Sequence, residues 1–226
     1  MPSPLRRRWL LKKPQTDPVL ALSMLFSCLL VAARIYHTGR LTFVFMIWNL
    51  FLAYIPYCIS NQLVRSPKIN RILRAAGLIT WLLFIPNSFY ILTDLYHLAD
   101  GHRNARVPEW FDLALILSFA WNGLLLGVLS TWQVEKLLAP NASLPGRWVL
   151  LYPLMFLNAL GVYIGRDLRY NSWDILTNPI DLLGDICTML VHPLRHHYAW
   201  GMIFCFSVLL SFMYSLLTKN REPWKI

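Results

Sequence analysis

The chain has 226 residues, of which 57% are hydrophobic and 14% are charged, and its mean hydropathy is +0.46. Charged residues make up roughly a quarter of a soluble globular domain, so this composition excludes an ordinary soluble domain and indicates a membrane protein. The net charge of +10 does not indicate nucleic-acid binding, because the basic residues lie in short segments between apolar stretches.

Six apolar stretches are long enough to cross a hydrocarbon core of roughly 30 Å, which takes about 20 helical residues. No repeat or low-complexity linker interrupts residues 18–217, so we predict one polytopic all-α membrane domain there, between a basic cytoplasmic segment (1–17) and a cytoplasmic tail (218–226). In the fourth stretch, Gly123 and Gly127 are assigned to close helix packing. The predicted spans are Pro18–Tyr36, Leu41–Asn61, Ile72–Leu92, Phe111–Val134, Trp148–Ile164 and Tyr198–Leu217.

The lysines and arginines set the predicted orientation. Fourteen of them lie in the two termini and in the second and fourth loops, whereas seven lie in the remaining loops. The positive-inside rule therefore predicts a multi-pass protein of the plasma membrane with both termini in the cytoplasm. Eight of the 11 acidic residues and all six histidines then fall on the non-cytoplasmic side.

The third predicted helix ends in a polar face. Asn87, Tyr90, Asp94 and His97 recur at three- and four-residue spacing, which places them on one side of an α-helix. An ionisable residue near membrane depth is costly, so Asp94 and His97 are expected to face the bundle or a wet cavity. Two interpretations stay open: the four residues form a functional site, or Asp94 and His97 lie in interfacial water and only end the helix.

The fifth predicted helix runs into a dense polar segment. Arg166 and Arg169 can each make a two-pronged contact with a carboxylate or a phosphate. In one interpretation they bind an anionic group, while Asp167 or Asp174 acts as base or ligand. In the other, one arginine pairs with Asp94 and ties the ends of the third and fifth helices together.

A further amphipathic helix, interfacial or re-entrant, is predicted near residues 180–192. Asp181, Asp185, Thr188 and His192 form its polar stripe, and apolar residues occupy its other faces. Carboxylates and imidazoles at this spacing can hold a divalent metal, but no metal signature is present and an ordinary solvated stripe is the preferred interpretation. The sequence therefore identifies no metal and no cofactor.

Two strings in the third and fifth helices carry a family resemblance. The first is Ile85-Pro86-Asn87 with Tyr90 and Thr93-Asp94-Leu95, and the second is Gly165-Arg166 with Arg169 and Asn171-Ser172-Trp173-Asp174. Together they resemble the bacterial membrane protein family called domain of unknown function 1361, over most of the chain from the second helix onward. The resemblance implies a bacterial inner-membrane protein of this size, and it brings no activity.

The leading hypothesis is an outward-facing site that binds or processes an anionic lipid or lipid-linked headgroup, with catalysis left open. Its predicted binding residues are Asn87, Tyr90, Arg166, Arg169 and Asn171. In a catalytic version Asp94 or Asp174 is the base and His97 relays protons. One alternative is an ion- or proton-coupled transporter or channel, and another is an assembly or scaffold protein whose polar motifs only hold helices together.

Overall fold

In a computed structural model of the protein, residues 18–98, 107–140 and 144–218 are described, and their regular secondary structure is entirely helical. The all-α prediction is confirmed. The predicted cytoplasmic segments, residues 1–17 and the tail beyond Thr218, lie outside the described residues. The helices are α1 Pro18–Thr38, α2 Phe45–Arg65, α3 Arg71–Tyr90, a 3₁₀ helix Ile91–His97, α4 Glu109–Leu138, α5 Leu144–Arg166, α6 Asp174–Thr177, α7 Pro179–Val191 and α8 His197–Thr218.

Five of the described helical segments are long and apolar enough to cross a membrane: Pro18–Thr38, Arg71–His97, Glu109–Leu138, Gly146–Arg166 and His197–Thr218. The second predicted span forms α2, which is also 21 residues long but falls outside this set. Asn49, Asn61 and Gln62 lower its mean hydropathy. Two of these side chains are hydrogen-bonded inside the bundle, Asn49 to Asp94 and Asn61 to Gln133.

The chain divides into two compact units, Met1–Leu138 and Ala139–Ile226, which we call unit 1 and unit 2. The central helix of unit 1 is α4, because 61% of its apolar stretch is buried, against 22–33% in the other four candidate spans. Its core packs Leu115, Ile116 and Phe119 of α4 with Met46 and Ala53 of α2. The less buried helices keep apolar side chains exposed, as helices that face lipid do.

Two glycines of α4 allow the close approach of α3, as predicted from their spacing. A Cβ on Gly123 would lie 2.7 Å from the backbone oxygen of Ser88, and one on Gly127 would lie 2.8 Å from the ring of Phe89. Ser88 also donates through its hydroxyl to the backbone oxygen of Ala53 at 2.9 Å. The three helices α2, α3 and α4 therefore meet at Ser88.

Unit 2 is built on α5 and α8. Phe156 of α5 stacks on Trp200 of α8 with ring centroids 6.4 Å apart. The carboxyl end of α7 joins them, because Met189 is buried in the cluster of Ala159, Ala199 and Ile203. The predicted amphipathic helix near residues 180–192 is thus present as α7, with Pro179 in its first turn.

The α-helical geometry of α3 ends at Tyr90. The chain continues without a break as the 3₁₀ helix Ile91–His97, so the predicted span to Leu92 changes helix type near its end. In a 3₁₀ helix residues three apart eclipse one another, which puts Asp94 and His97 on the same side as Ile91. Asn87 and Tyr90 therefore share a face of α3, as the spacing predicts. Asp94 and His97 point in a direction set by the 3₁₀ helix instead.

Candidate functional site

Asp94 lies in the 3₁₀ helix and is buried, with 1% of its surface exposed. The side-chain amide of Asn49, from the second turn of α2, donates to Asp94 Oδ2 at 2.9 Å. The neighbouring Thr93 hydroxyl donates to the backbone oxygen of Tyr90 at 2.7 Å, which satisfies a carbonyl where the helix type changes. The Asp94 carboxyl is thus held inside unit 1 by a neutral donor.

His97 contacts the same helix one turn earlier. Its ring meets the ring of Phe45 edge to face, with centroids 5.0 Å apart. Phe45 and Asn49 are four residues apart on α2, whereas Asp94 and His97 are three apart on the 3₁₀ helix. Four residues make about one turn of an α-helix, and three make one turn of a 3₁₀ helix. Asn49 therefore meets Asp94 while Phe45, one turn away, meets His97.

A buried ion pair that was not predicted from the sequence lies at the same end of these helices. Arg34, near the end of α1, donates from Nε to Asp112 Oδ1 at 2.7 Å and from Nη2 to Asp112 Oδ2 at 3.0 Å. Both residues are 2% exposed, and the Phe43 ring covers the guanidinium at 4.4 Å. A single arginine in the otherwise apolar first span was the available signal, because intramembrane charges are rare and paired.

Aromatic contacts connect the ion pair to the carboxyl site. The Phe43 ring lies 6.4 Å from the Phe45 ring, which in turn contacts His97. We call this group the unit 1 polar cluster: Arg34, Asp112, Asn49, Asp94 and His97, with Phe43 and Phe45 between them. It joins α1, α2, α4 and the 3₁₀ helix through side-chain contacts.

Asn87 and Tyr90 precede this cluster on α3. The Asn87 amide donates to the backbone oxygen of Phe84 at 2.9 Å, within its own helix. Both Asn87 and Tyr90 are half-buried. The structure therefore places all four predicted residues of the third helix in unit 1, and it shows Asp94 and His97 in contact with α2.

The polar segment after α5 forms a turn in unit 2. The Tyr170 amide donates to the backbone oxygen of Ile164 at 3.2 Å, which closes the end of the helix. At Arg169 the backbone has φ 61°, in the left-handed region that favours glycine. The Arg169 side chain is exposed, whereas Arg166 is half-buried in the last turn of α5.

Asp174 stabilises this turn. Its Oδ2 accepts from the backbone amide of Asn171, and its Oδ1 accepts from the Thr177 hydroxyl at 3.0 Å. The hydrogen bond from the Asn171 amide is the main reason that the pKa of Asp174 lies below its ordinary value. This carboxylate is therefore a weak proton acceptor at neutral pH, and its visible role is to hold the turn that leads into α6.

A second acidic side chain ties α7 to the same turn. The Tyr170 hydroxyl donates to Asp185 Oδ2 at 2.9 Å, and this hydrogen bond raises the pKa of Tyr170 above its ordinary value. The predicted residues Arg166, Arg169, Asn171 and Asp174 thus lie together in unit 2. Across the described ranges no three His, Cys, Asp or Glu side chains are arranged to hold a metal ion.

These observations define an all-α protein with several apolar helices of membrane-spanning length. The family described as "Protein of unknown function (DUF1361)" matches residues 48–213, which include both predicted polar motifs. The chain belongs to this family, as the resemblance implied. No curated protein and no solved structure matches the chain.

Proposed function

We propose that this chain is a multi-pass protein of the bacterial inner membrane, with both termini cytoplasmic, whose turn after α5 binds the headgroup of an anionic lipid or lipid-linked molecule. The observation that carries the proposal is Arg169. A non-glycine residue at φ 61° costs roughly 1–2 kcal/mol of backbone energy, and such positions cluster at functional sites. Glycine would relieve this strain, and the chain has arginine at this position instead.

The charge of Arg169 supports the same conclusion. Within the described part of the chain, its guanidinium has no ion pair, although Asp167 and Asp174 are close to it in sequence. Asp174 is instead used by Asn171 and Thr177. An exposed guanidinium with its donors available is suited to a two-pronged contact with a phosphate oxygen pair.

Neighbouring groups on the turn extend the proposed site. The Asn171 side chain is exposed, and Arg166 ends α5, a helix of membrane-spanning length. A turn that follows a membrane-spanning helix lies at headgroup depth. Arg166, Arg169 and Asn171 would then meet the phosphate and its substituents, with Asp174 holding the turn in shape.

Binding to a short-chain lipid tests this proposal. The protein is purified in a neutral detergent and titrated calorimetrically with dioctanoyl phosphatidylglycerol, and with dioctanoyl phosphatidylcholine for comparison. Arg169→Gly removes the charge and the backbone strain together, so it should fold and bind the anionic lipid about tenfold more weakly or worse. Arg195→Gln removes an exposed charge after α7 and serves as the matched control. Equal dissociation constants for Arg169→Gly and the unmodified protein would refute the proposal.

Proton-coupled transport is a second candidate, which the burial of Asp94 favours. A buried carboxyl in a membrane protein is a common proton carrier. In this candidate Asp94 exchanges protons and His97 relays them. The check is proton flux in proteoliposomes: loss of flux in Asp94→Asn, with normal insertion, supports transport, and an unchanged flux removes Asp94 from the route. The same variant tests Asp94 as a catalytic base once a reaction is assigned.

A scaffold role is favoured by the Arg34–Asp112 pair, whose groups join two helices. In that case changes in the unit 1 polar cluster lower protein abundance and leave lipid binding per folded molecule unchanged. Quantifying folded protein by size-exclusion chromatography, before the lipid titration, separates this outcome from the first candidate.

A further inference from the structure

Helix α7 has three distinct faces. The buried face carries Leu182 and Met189, which are 7% and 2% exposed. The exposed polar stripe of Asp181, Asp185, Thr188 and His192 lies about a quarter turn to one side, at about 100° per residue. About a third of a turn to the other side lies an exposed apolar face: Ile180, Leu183, Cys187, Leu190 and Val191.

The apolar face is too exposed to belong to the core of the described chain. Four of its side chains are 58–82% exposed, Ile180 most of all. Along the chain it is followed by two more exposed apolar side chains, Leu194 (89% exposed) and Tyr198 (84% exposed), which lead from α7 into α8, a helix of membrane-spanning length. Phe204 and Phe212 of α8 are also exposed, at 60% and 61%.

We infer that α7 lies flat in the membrane interface, with this apolar face inserted among the lipid acyl chains and the polar stripe turned toward water. Contacts hold it beside the helix ends: Trp200, in the first turn of α8, donates to the backbone oxygen of Met189 at 3.3 Å, and Asp185 accepts from Tyr170. A helix with one apolar and one charged face, anchored at this level, has the properties of an interfacial helix.

The length of the polar stripe argues against a re-entrant helix. Asp181 and His192 are 11 positions apart, so the stripe extends about 16 Å along the axis, which is half of a hydrocarbon core of roughly 30 Å. A helix that dipped with its amino end deepest would carry the exposed Asp181 and Asp185 into the hydrocarbon core. One that dipped with its carboxyl end deepest would place Asp185 about 9 Å below Pro179, with Thr188 and His192 deeper still. Charged and polar side chains are disfavoured there in both cases. In the flat orientation both Asp181 and Asp185 remain in water.

Spin labels on single cysteines test the inference, which does not depend on the headgroup proposal. Cys28, Cys58 and Cys205 are changed to serine, so that Cys187 on the apolar face is the label site. Thr188→Cys in a chain with Cys187→Ser is the matched control on the polar stripe. Power saturation in liposomes should show a several-fold higher ratio of oxygen to nickel-chelate accessibility at 187 than at 188.

Labels along the axis separate flat from re-entrant orientations. Ile180→Cys and Leu190→Cys, in the chain with Cys187→Ser, should report the same depth as position 187. A depth that increases from one end of α7 to the other overturns the inference, since the helix would then enter the membrane at an angle. Equal accessibility at 187 and 188 also overturns it, because neither face would then meet the acyl chains.

Discussion

Arg34 and Asp112, 78 residues apart in sequence, form a two-pronged ion pair that joins α1 to α4 inside unit 1. Burial removes both groups from water, so each charge depends on the other for its solvation. The Phe43 ring covers the guanidinium and extends the contact toward α2. The pair therefore contributes to where the first helix sits against the bundle.

Removing one partner should be far more harmful than removing both. We expect Asp112→Leu to lower the free energy of unfolding by about 3–5 kcal/mol, because Arg34 keeps a buried charge without its carboxylate. The double variant Arg34→Met with Asp112→Leu should recover most of that loss. Denaturant unfolding in mild detergent measures both. A double variant as unstable as the single one would show that the pair contributes more than mutual neutralisation.

The glycine contact between α3 and α4 gives a second prediction. Gly123→Ala should cost about 1–3 kcal/mol, because the new Cβ would meet the backbone oxygen of Ser88, which moves only with its helix. Gly201→Ala in α8 is the control, since beyond the adjoining turns of α8 itself no atom of the described residues lies within 4 Å of its added Cβ. We expect it to be neutral or up to about 1 kcal/mol more stable. Melting temperatures of the two variants in the same detergent decide the point.

A buried serine joins three helices and supplies a third prediction. Ser130 of α4 accepts from the Trp81 indole at 2.8 Å and donates to the backbone oxygen of Pro56 at 2.9 Å. Ser130→Ala leaves the indole N–H without this acceptor, which should cost about 1–3 kcal/mol. Ser207→Ala is the comparison, because that buried hydroxyl donates only within its own helix. If denaturant unfolding shows the same loss of stability for both variants, the hydrogen bonds of Ser130 to other helices do not contribute to the free energy of unfolding.

The turn after α5 should respond to acid. The folded-state pKa of Asp174 is lowered, chiefly by the Asn171 amide, so the stabilisation is fully present above the ordinary carboxyl pKa of about 3.9. It is lost as the pH falls through the lower folded-state pKa. The amide resonance of Asn171 in an NMR titration should shift across that range and stay constant in Asp174→Asn. An amide that titrates equally in both proteins would assign the effect to another group.

The periodicity and length of the apolar stretches predicted every long helix to within a few residues, because both are local properties of the sequence. Periodicity also predicted α7, and the four-residue spacing of Gly123 and Gly127 predicted their role in helix packing. The mean hydropathy of α2 does not reflect the hydrogen bonds that Asn49 and Asn61 make inside the bundle. Summed hydropathy treats a paired amide and a free one alike.

Relationships between distant residues were harder to predict. Arg34 is unusual as the single arginine of an apolar span, but nothing in the sequence pairs it with Asp112, which lies in the first turn of α4, where a charge is ordinary. The role of Asp174 in holding the turn was equally hard to predict, since its partners Asn171 and Thr177 depend on a turn that begins with the left-handed Arg169. The sequence shows what each of these side chains can do chemically, but it does not show which residue each one contacts.

The change from α to 3₁₀ geometry at Ile91 determines the direction in which the side chains after it point, because the two helix types have different numbers of residues per turn. Seven residues rise about 14 Å in a 3₁₀ helix and about 10.5 Å in an α-helix. Rewinding the segment would therefore shorten it by about 3.5 Å and turn its far end by roughly 120° relative to Ile91. His97, six residues along, would leave the ring of Phe45, so the number of residues per turn sets which way the imidazole points.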